Sequence, residues 1–136
     1  MKDEFVSKKD GKKSNPGASF RVLIADDEFL IRWSLSEALS QEGYEVLAVE
    51  DGQKAVEASW TQRFDFIITD LVMPEMDGWQ VLEKAQNMLP LPRVIIITAH
   101  GHEEMKRKAK EKGAWAYVEK PHLIENIKAL IKSSSR

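Results

Sequence analysis

Cysteine is absent from the 136-residue chain, which excludes disulfide frameworks, thiolate metal centres and cysteine nucleophiles; any bound metal has to rest on oxygen or imidazole. No apolar run approaches the roughly 20 residues needed to span a bilayer, and the N-terminus lacks the apolar stretch of a secretory signal. A cytoplasmic protein without membrane contact is expected. Basic charge in excess is missing as well. Five lysines (Lys2, Lys8, Lys9, Lys12, Lys13) fall within residues 1–20 beside Asp3, Glu4 and Asp10, so that of 20 basic and 22 acidic residues, 15 and 19 remain for the rest of the chain. An acidic body of this kind has no footprint for neutralising phosphates, and direct nucleic-acid binding is not expected.

What the chain does hold is alternation. Residues 1–19 are polar, Lys-rich and interrupted by Asn15-Pro16-Gly17, with little beyond Phe5 and Val6 to bury; they read as a disordered leader. From Arg21 onward, short continuous apolar runs recur at Val22-Leu23-Ile24-Ala25, Val46-Leu47-Ala48-Val49, Phe66-Ile67-Ile68, Val94-Ile95-Ile96-Ile97 and Ala116-Tyr117-Val118. Such runs suit strands buried on both faces of a parallel sheet. Helical spacing lies between them. Ile31, Leu35, Ala38 and Leu39 form one stripe before Gly43, and Val81, Leu82, Ala85 and Leu89 form another that Pro90 and Pro92 close. Leu123, Ile127, Leu130 and Ile131 give a last helix its stripe, and Asp51 is placed to cap a short second helix. A helix over 102–112 offers only Met105 and Ala109 to a core and should pack least firmly.

Five strands alternating with five helices imply right-handed βαβ units and a three-layer α/β sandwich around a parallel sheet. Ligands in such sheets gather beyond the carboxyl ends of the strands. The residues there are polar: Asp26 and Asp27 follow the first run, Asp70 the third, Thr98 the fourth and Lys120 the fifth. Three carboxylates thereby converge on one edge, where a like-charge pair about 4 Å apart costs on the order of 4 kcal/mol at an effective dielectric near 20. A cation must offset that cost. Lys120 supplies one charge, and an all-oxygen set suits a hard divalent ion, Mg²⁺ before Ca²⁺ because no Asp-rich calcium loop is present. A carboxylate beside Mg²⁺ and lysine can accept a phosphoryl group. Asp70, alone on a central strand, is the expected nucleophile, with Thr98 and Lys120 as phosphoryl ligands.

These residues resemble the receiver domains of two-component response regulators. The landmarks are Val22-Leu23-Ile24-Ala25-Asp26-Asp27-Glu28, Thr69-Asp70-Leu71-Val72-Met73-Pro74-Glu75-Met76-Asp77-Gly78, Thr98-Ala99 and Lys120-Pro121, in order over about residues 21–133. The resemblance implies a flavodoxin-like (βα)5 fold with strand order 2-1-3-4-5, a receiver domain over residues 20–133 and a short tail over 134–136. It also implies phosphorelay signalling. Asp70 would accept phosphate from a sensor histidine kinase or a histidine phosphotransfer protein, and Mg²⁺ or Mn²⁺ would be held by Asp27, Asp70 and the Val72 backbone carbonyl, with Asp26 acting through water. Lys120 and the Ala99 backbone would bind the phosphoryl group, while Thr98 and Tyr117 would switch together.

Structural roles fall to Pro74, Gly78 and Pro121, the last in a cis bond with Lys120. The resemblance further implies that the chain is no enzyme beyond promoting its own phosphorylation and dephosphorylation. Its partners would include a downstream target or effector domain, and a dimer formed on phosphorylation. The face of the 102–112 helix, the strand at Tyr117 and the last helix is the expected meeting surface, and Val72 and His100 are expected to influence phosphoryl lifetime.

Rival chemistries fit less well. A haloacid-dehalogenase-like phosphatase needs a second Asp where Val72 stands, and an FMN carrier needs a phosphate-cradling loop where Asp26-Asp27-Glu28 would repel one. His100 and His102 without a third ligand read as a solvated loop. The four tryptophans show no common helical register and read as packing or partner-facing aromatics. The basic run Lys106, Arg107, Lys108, Lys110 and Lys112, interleaved with Glu103, Glu104 and Glu111, reads as a solvated face.

Overall fold

A computed structural model describes residues 20–134; the leader over 1–19 and the end of the tail at 135–136 lie outside the described residues. The chain alternates as expected: β1 (Arg21–Ala25), α1 (Phe29–Gln41), β2 (Glu45–Val49), α2 (Gly52–Thr61), β3 (Phe66–Asp70), α3 (Gly78–Ala85), β4 (Arg93–Thr98), α4 (Glu103–Glu111), β5 (Ala116–Glu119) and α5 (Leu123–Ser133), with a 3-10 turn at Lys120–His122. All four strand pairings are parallel, in the order β2-β1-β3-β4-β5. Among the described residues, no helix is long and apolar enough to cross a membrane.

The apolar runs divide between two cores because alternate residues of a strand face opposite sides of the sheet. Val22, Ile24, Phe66, Ile68, Ile95 and Ile97 pack against Leu35 and Leu39 of α1 and against Ile127 and Ile131 of α5. Leu23, Ala25, Ile67, Val94 and Ile96 face Ala55 of α2, Val81 and Leu82 of α3 and Ala109 of α4. Strand β3, second in from neither edge but central, is buried throughout. Strand β2 is an edge strand, and Val46 to Val49 are half-buried instead of fully enclosed.

Helix ends follow local chemistry. Asp51 caps α2, accepting from the Lys54 amide, and Asp77 with Gln80 forms a reciprocal capping box at the start of α3. Gly43 takes a positive φ of 96° just past α1, a conformation that favours glycine.

Two expectations need correction. Helix α3 stops at Ala85, and Leu89, taken as the end of its apolar stripe, is 93% exposed in the loop that follows. The Lys120-Pro121 bond is trans; the cis bond among the described residues is Leu89-Pro90. Pro121 instead sits at the start of the Lys120–His122 turn, where its fixed φ and missing N–H are tolerated.

Candidate functional site: an acid pocket at the carboxyl edge of the sheet

Strand β1 runs on past Ala25, because the Asp26 amide donates to the Val49 carbonyl at 3.2 Å and continues the ladder for one more residue. That pairing turns the Asp26 side chain inward, where it is completely buried, whereas Asp27 is exposed at the rim. Asp70 ends β3 with 6% exposure. One oxygen from each of Asp26, Asp27 and Asp70 lies within 4.8 Å of the others, the acid grouping among the described residues that can hold a metal ion.

Lys120 reaches this cluster from the end of β5. Its Nζ lies 3.1 Å from Asp70 Oδ2, 3.1 Å from Glu28 Oε1 and 3.2 Å from Asp26 Oδ2. The first two are hydrogen bonds donated by the ammonium, and the third is an ion-pair contact without one. Asp26 Oδ1 accepts from the Glu28 amide at 2.8 Å. Asp26 Oδ2 has no hydrogen-bond partner, although it is buried. A buried carboxylate oxygen left in this state has to be compensated. With all-oxygen donors around it, a hard divalent cation fits the pocket.

The electrostatics agree. Burial, helped by the charge of Asp70 and opposed by the Glu28 amide and Lys120, pushes the Asp26 carboxyl up to about 6 from an ordinary 3.8. Burial alone would lower the Lys120 ammonium, but the hydrogen bonds to Glu28 and Asp70 and the charges of Asp26 and Asp70 outweigh it and hold Lys120 above its usual range.

The other expected residues stand around this pocket. Thr98 ends β4, is buried, and its hydroxyl accepts from the His100 amide at 3.3 Å. Ala99 follows it on the exposed rim. The Val72 amide approaches Asp70 Oδ1 at 3.4 Å while its side chain is 76% exposed. Pro74 and Glu75 carry the loop after β3, with Glu75 at a φ of 71°, and the Gly78 amide closes it by donating to the Leu71 carbonyl at 3.0 Å. A Cβ at Gly78 would collide with the Asp70 carbonyl, so only glycine allows α3 to start this close to the end of β3.

Tyr117 is half-buried on β5, its hydroxyl contacting Met105 Sδ of α4 at 3.9 Å and lying where a Gly101 Cβ would sit.

Three contributors were not assigned from the sequence. Glu28 binds Lys120 across 92 positions of chain, and Arg32 fixes the Asp26 carbonyl with an Nη1 bond of 2.9 Å from the first turn of α1. Gly101 makes room for Tyr117. Glu28 alone carried a signal, as the third acid of Asp26-Asp27-Glu28.

Fold and pocket define a doubly wound α/β domain whose chemistry gathers on one acidic sheet edge. Residues 22–132 match the family model described as the response regulator receiver domain, and the chain belongs to that family. It is a module of phosphorelay signal transduction. The chain is 34% identical over 112 residues to the sporulation initiation phosphotransferase F of Bacillus subtilis, covering 82% of this chain and 90% of that protein. It is 36% identical over 129 residues to the chemotaxis protein CheY of Treponema pallidum, covering 90% and 89%. Identity to the transcriptional regulatory protein PdtaR of Mycobacterium tuberculosis is 38% over 108 residues, where the match takes in 79% of this chain but only 52% of that relative's length. Among solved structures, the chemotaxis protein CheY4 of Vibrio cholerae is similar with a TM-score of 0.77 at 30% identity, over 85% of this chain and 98% of that one.

Proposed function

We propose that Asp70 is the phosphoacceptor of this chain and that residues 20–133 work as its receiver domain. The observation that carries this is the clustering of Asp26, Asp27 and Asp70 within 4.8 Å with Lys120 bonded to Asp70 at 3.1 Å. An Asp70 carboxylate oxygen attacks the phosphorus of a phosphohistidine, the P–N bond breaks, and imidazole leaves as the new P–O bond forms. A divalent cation, Mg²⁺ or Mn²⁺, would be held by Asp26, Asp27, Asp70 and the Val72 carbonyl, and supplies positive charge against that developing on the transferring group.

Lys120 orients the nucleophile before transfer and takes a phosphoryl oxygen after it. The Thr98 hydroxyl and the Ala99 backbone take the others. Water later attacks the same phosphorus and releases inorganic phosphate; Val72 and His100, two residues past Asp70 and Thr98, border its path and influence the lifetime. The chain turns over no substrate besides its own phosphoryl group.

The donor is a sensor histidine kinase or histidine phosphotransfer protein, and the relatives' names support this, a phosphotransferase and several transcriptional regulators among them. A cytoplasmic location and a downstream target or effector domain belong to the same proposal. A phosphoryl group brings about −1.5 to −2 charges and strong acceptors; Thr98 moves toward it and Tyr117 follows. The output surface is then α4, β5 and α5, where Lys106, Arg107, Trp115 and Tyr117 line a groove of about 560 Å³ and a phosphorylated second copy can dock.

Incubation with a small phosphodonor and Mg²⁺, followed by intact mass, tests the proposal. One adduct on the wild-type chain and none on Asp70→Asn is expected. A wild-type chain with no Asp70-dependent adduct overturns it.

A further inference from the structure

We infer that Glu28 parks Lys120 in the unphosphorylated site and has to surrender it before the ammonium can reach a phosphoryl oxygen. The inference rests on Asp70 being the phosphoacceptor and names a positioning residue for that reaction. The Lys120 side chain is 13% exposed, and its ammonium faces three carboxylates at 3.1, 3.1 and 3.2 Å: Glu28, Asp70 and Asp26. Two of the ammonium's three N–H donors are spent on Glu28 and Asp70, and Asp26 Oδ2 stands 3.2 Å from its remaining side. A phosphoryl oxygen comes into contact with Nζ as one of these carboxylates withdraws.

The three partners differ in what release costs. Asp26 has no exposed surface and Asp70 almost none, so neither carboxylate can be rehydrated when Lys120 withdraws. The Glu28 side chain is 60% exposed, and water replaces Lys120 at once. Glu28 also stands outside the grouping of Asp26, Asp27 and Asp70 that can hold a cation. It is the N-cap residue of α1, yet its side chain makes no capping hydrogen bond. Pairing with Lys120 is what the carboxylate does among the described residues. Contact and charge push in the same direction. An incoming anion meets four carboxylates around a single lysine, so loss of Glu28 frees the ammonium and lowers the repulsion together.

The test uses beryllofluoride with saturating Mg²⁺ as the probe, with binding followed by fluorine NMR and calorimetry, and Mg²⁺ affinity measured separately. Glu28→Gln removes the charge, whereas Glu28→Asp keeps it on an arm one methylene shorter that no longer reaches Lys120. Both variants should bind beryllofluoride about two- to fivefold more tightly than wild type, the range set by a partly exposed ion pair. Neither should bind Mg²⁺ more tightly. Unchanged or weaker beryllofluoride binding in Glu28→Gln overturns the inference. So does tightening in Glu28→Gln without tightening in Glu28→Asp, which assigns the effect to net charge alone. A Glu28→Gln chain that no longer folds also overturns it, since the side chain would then be a structural anchor. Failure of the underlying function is separately visible: a wild-type chain with no Asp70-dependent beryllofluoride binding removes the phosphoacceptor itself, whereas wild-type binding with unaltered Glu28 variants removes only the parking role.

Discussion

Replacing Asp26 by asparagine should stabilise the metal-free protein, although it removes a residue at the heart of the site. The carboxyl is completely buried and is pushed up to about 6 from 3.8, first by burial and then by Asp70. A raised carboxyl means that the folded chain holds the proton more tightly than the unfolded one. The stability this contributes is full below pH 3.8 and is lost as pH rises through about 6. Near neutral pH the ionised group therefore costs at most about 3 kcal/mol, two pKa units at about 1.4 kcal/mol each. Asparagine keeps an acceptor for the Glu28 amide, which bonds Asp26 Oδ1 at 2.8 Å. Its amide nitrogen turns toward Lys120 Nζ, which lies 3.2 Å from the present oxygen, and gives part of the gain back. A net gain of about 1–2 kcal/mol remains, or about 4–8 °C in melting temperature for a domain of this size. Urea and thermal unfolding in EDTA at pH 7.5, 6 and 4.5 measure it, and the gain should shrink toward the lowest pH. In excess Mg²⁺ the order should reverse, because only the wild type gains the full binding free energy. An asparagine variant less stable than wild type in EDTA at pH 7.5, or a gain independent of pH, would refute the reasoning.

Gly78→Ala should lower stability by more than about 2 kcal/mol and slow phosphorylation, since the added Cβ collides with the Asp70 carbonyl and displaces the end of β3, where the proposed phosphoacceptor sits; unfolding and adduct formation read both effects. Phe29 and Leu30 are 64% and 71% exposed on α1 beside the acid pocket, so Leu30→Asp should impair transfer from a phosphohistidine protein while leaving labelling by a small phosphodonor within about twofold. Equal loss with both donors would count against a docking role for this face. Asp77→Ala removes the capping box of α3 and should cost about 1 kcal/mol by urea unfolding, with little effect on labelling. Phosphorylation should change hydrogen exchange across residues 99–120; an unchanged pattern would refute the coupling of Asp70 to Tyr117.

Strands and pocket were legible because both are written in short-range signals. Five apolar runs bounded by polar residues demand a sheet covered on both faces, and polar residues directly after those runs fall on one edge of a parallel sheet. Adjacent acids are harder to separate. Asp26 and Asp27 look alike in the sequence, yet one is buried by an extra ladder bond to Val49 and the other stays at the rim. The end of α3 was misplaced because Leu89 continues the spacing of Val81, Leu82 and Ala85, while the chain had already turned out of the helix after Ala85. The trans bond before Pro121 departs from the family pattern, and nothing local to Lys120-Pro121 marks the difference. Glu28 and Lys120 meet across 92 positions, a pairing decided by tertiary geometry alone.

The same geometry explains how a charge change at one pocket can be felt on the far side of β5. Thr98 stands at the end of β4, and its hydroxyl accepts from the His100 amide, so a shift of that side chain toward Asp70 pulls on the loop that carries Gly101. Gly101 in turn seats the Tyr117 hydroxyl, which touches Met105 of α4. Helix α4 is the element least able to resist such a pull. Ala109 is its one buried residue, and its exposed face is held by weak pairs between Arg107 and Glu104 or Glu111 at 3.8 and 4.0 Å. An element bound by so little apolar area has a small free-energy gap between arrangements, which is what a phosphoryl group needs in order to bias it.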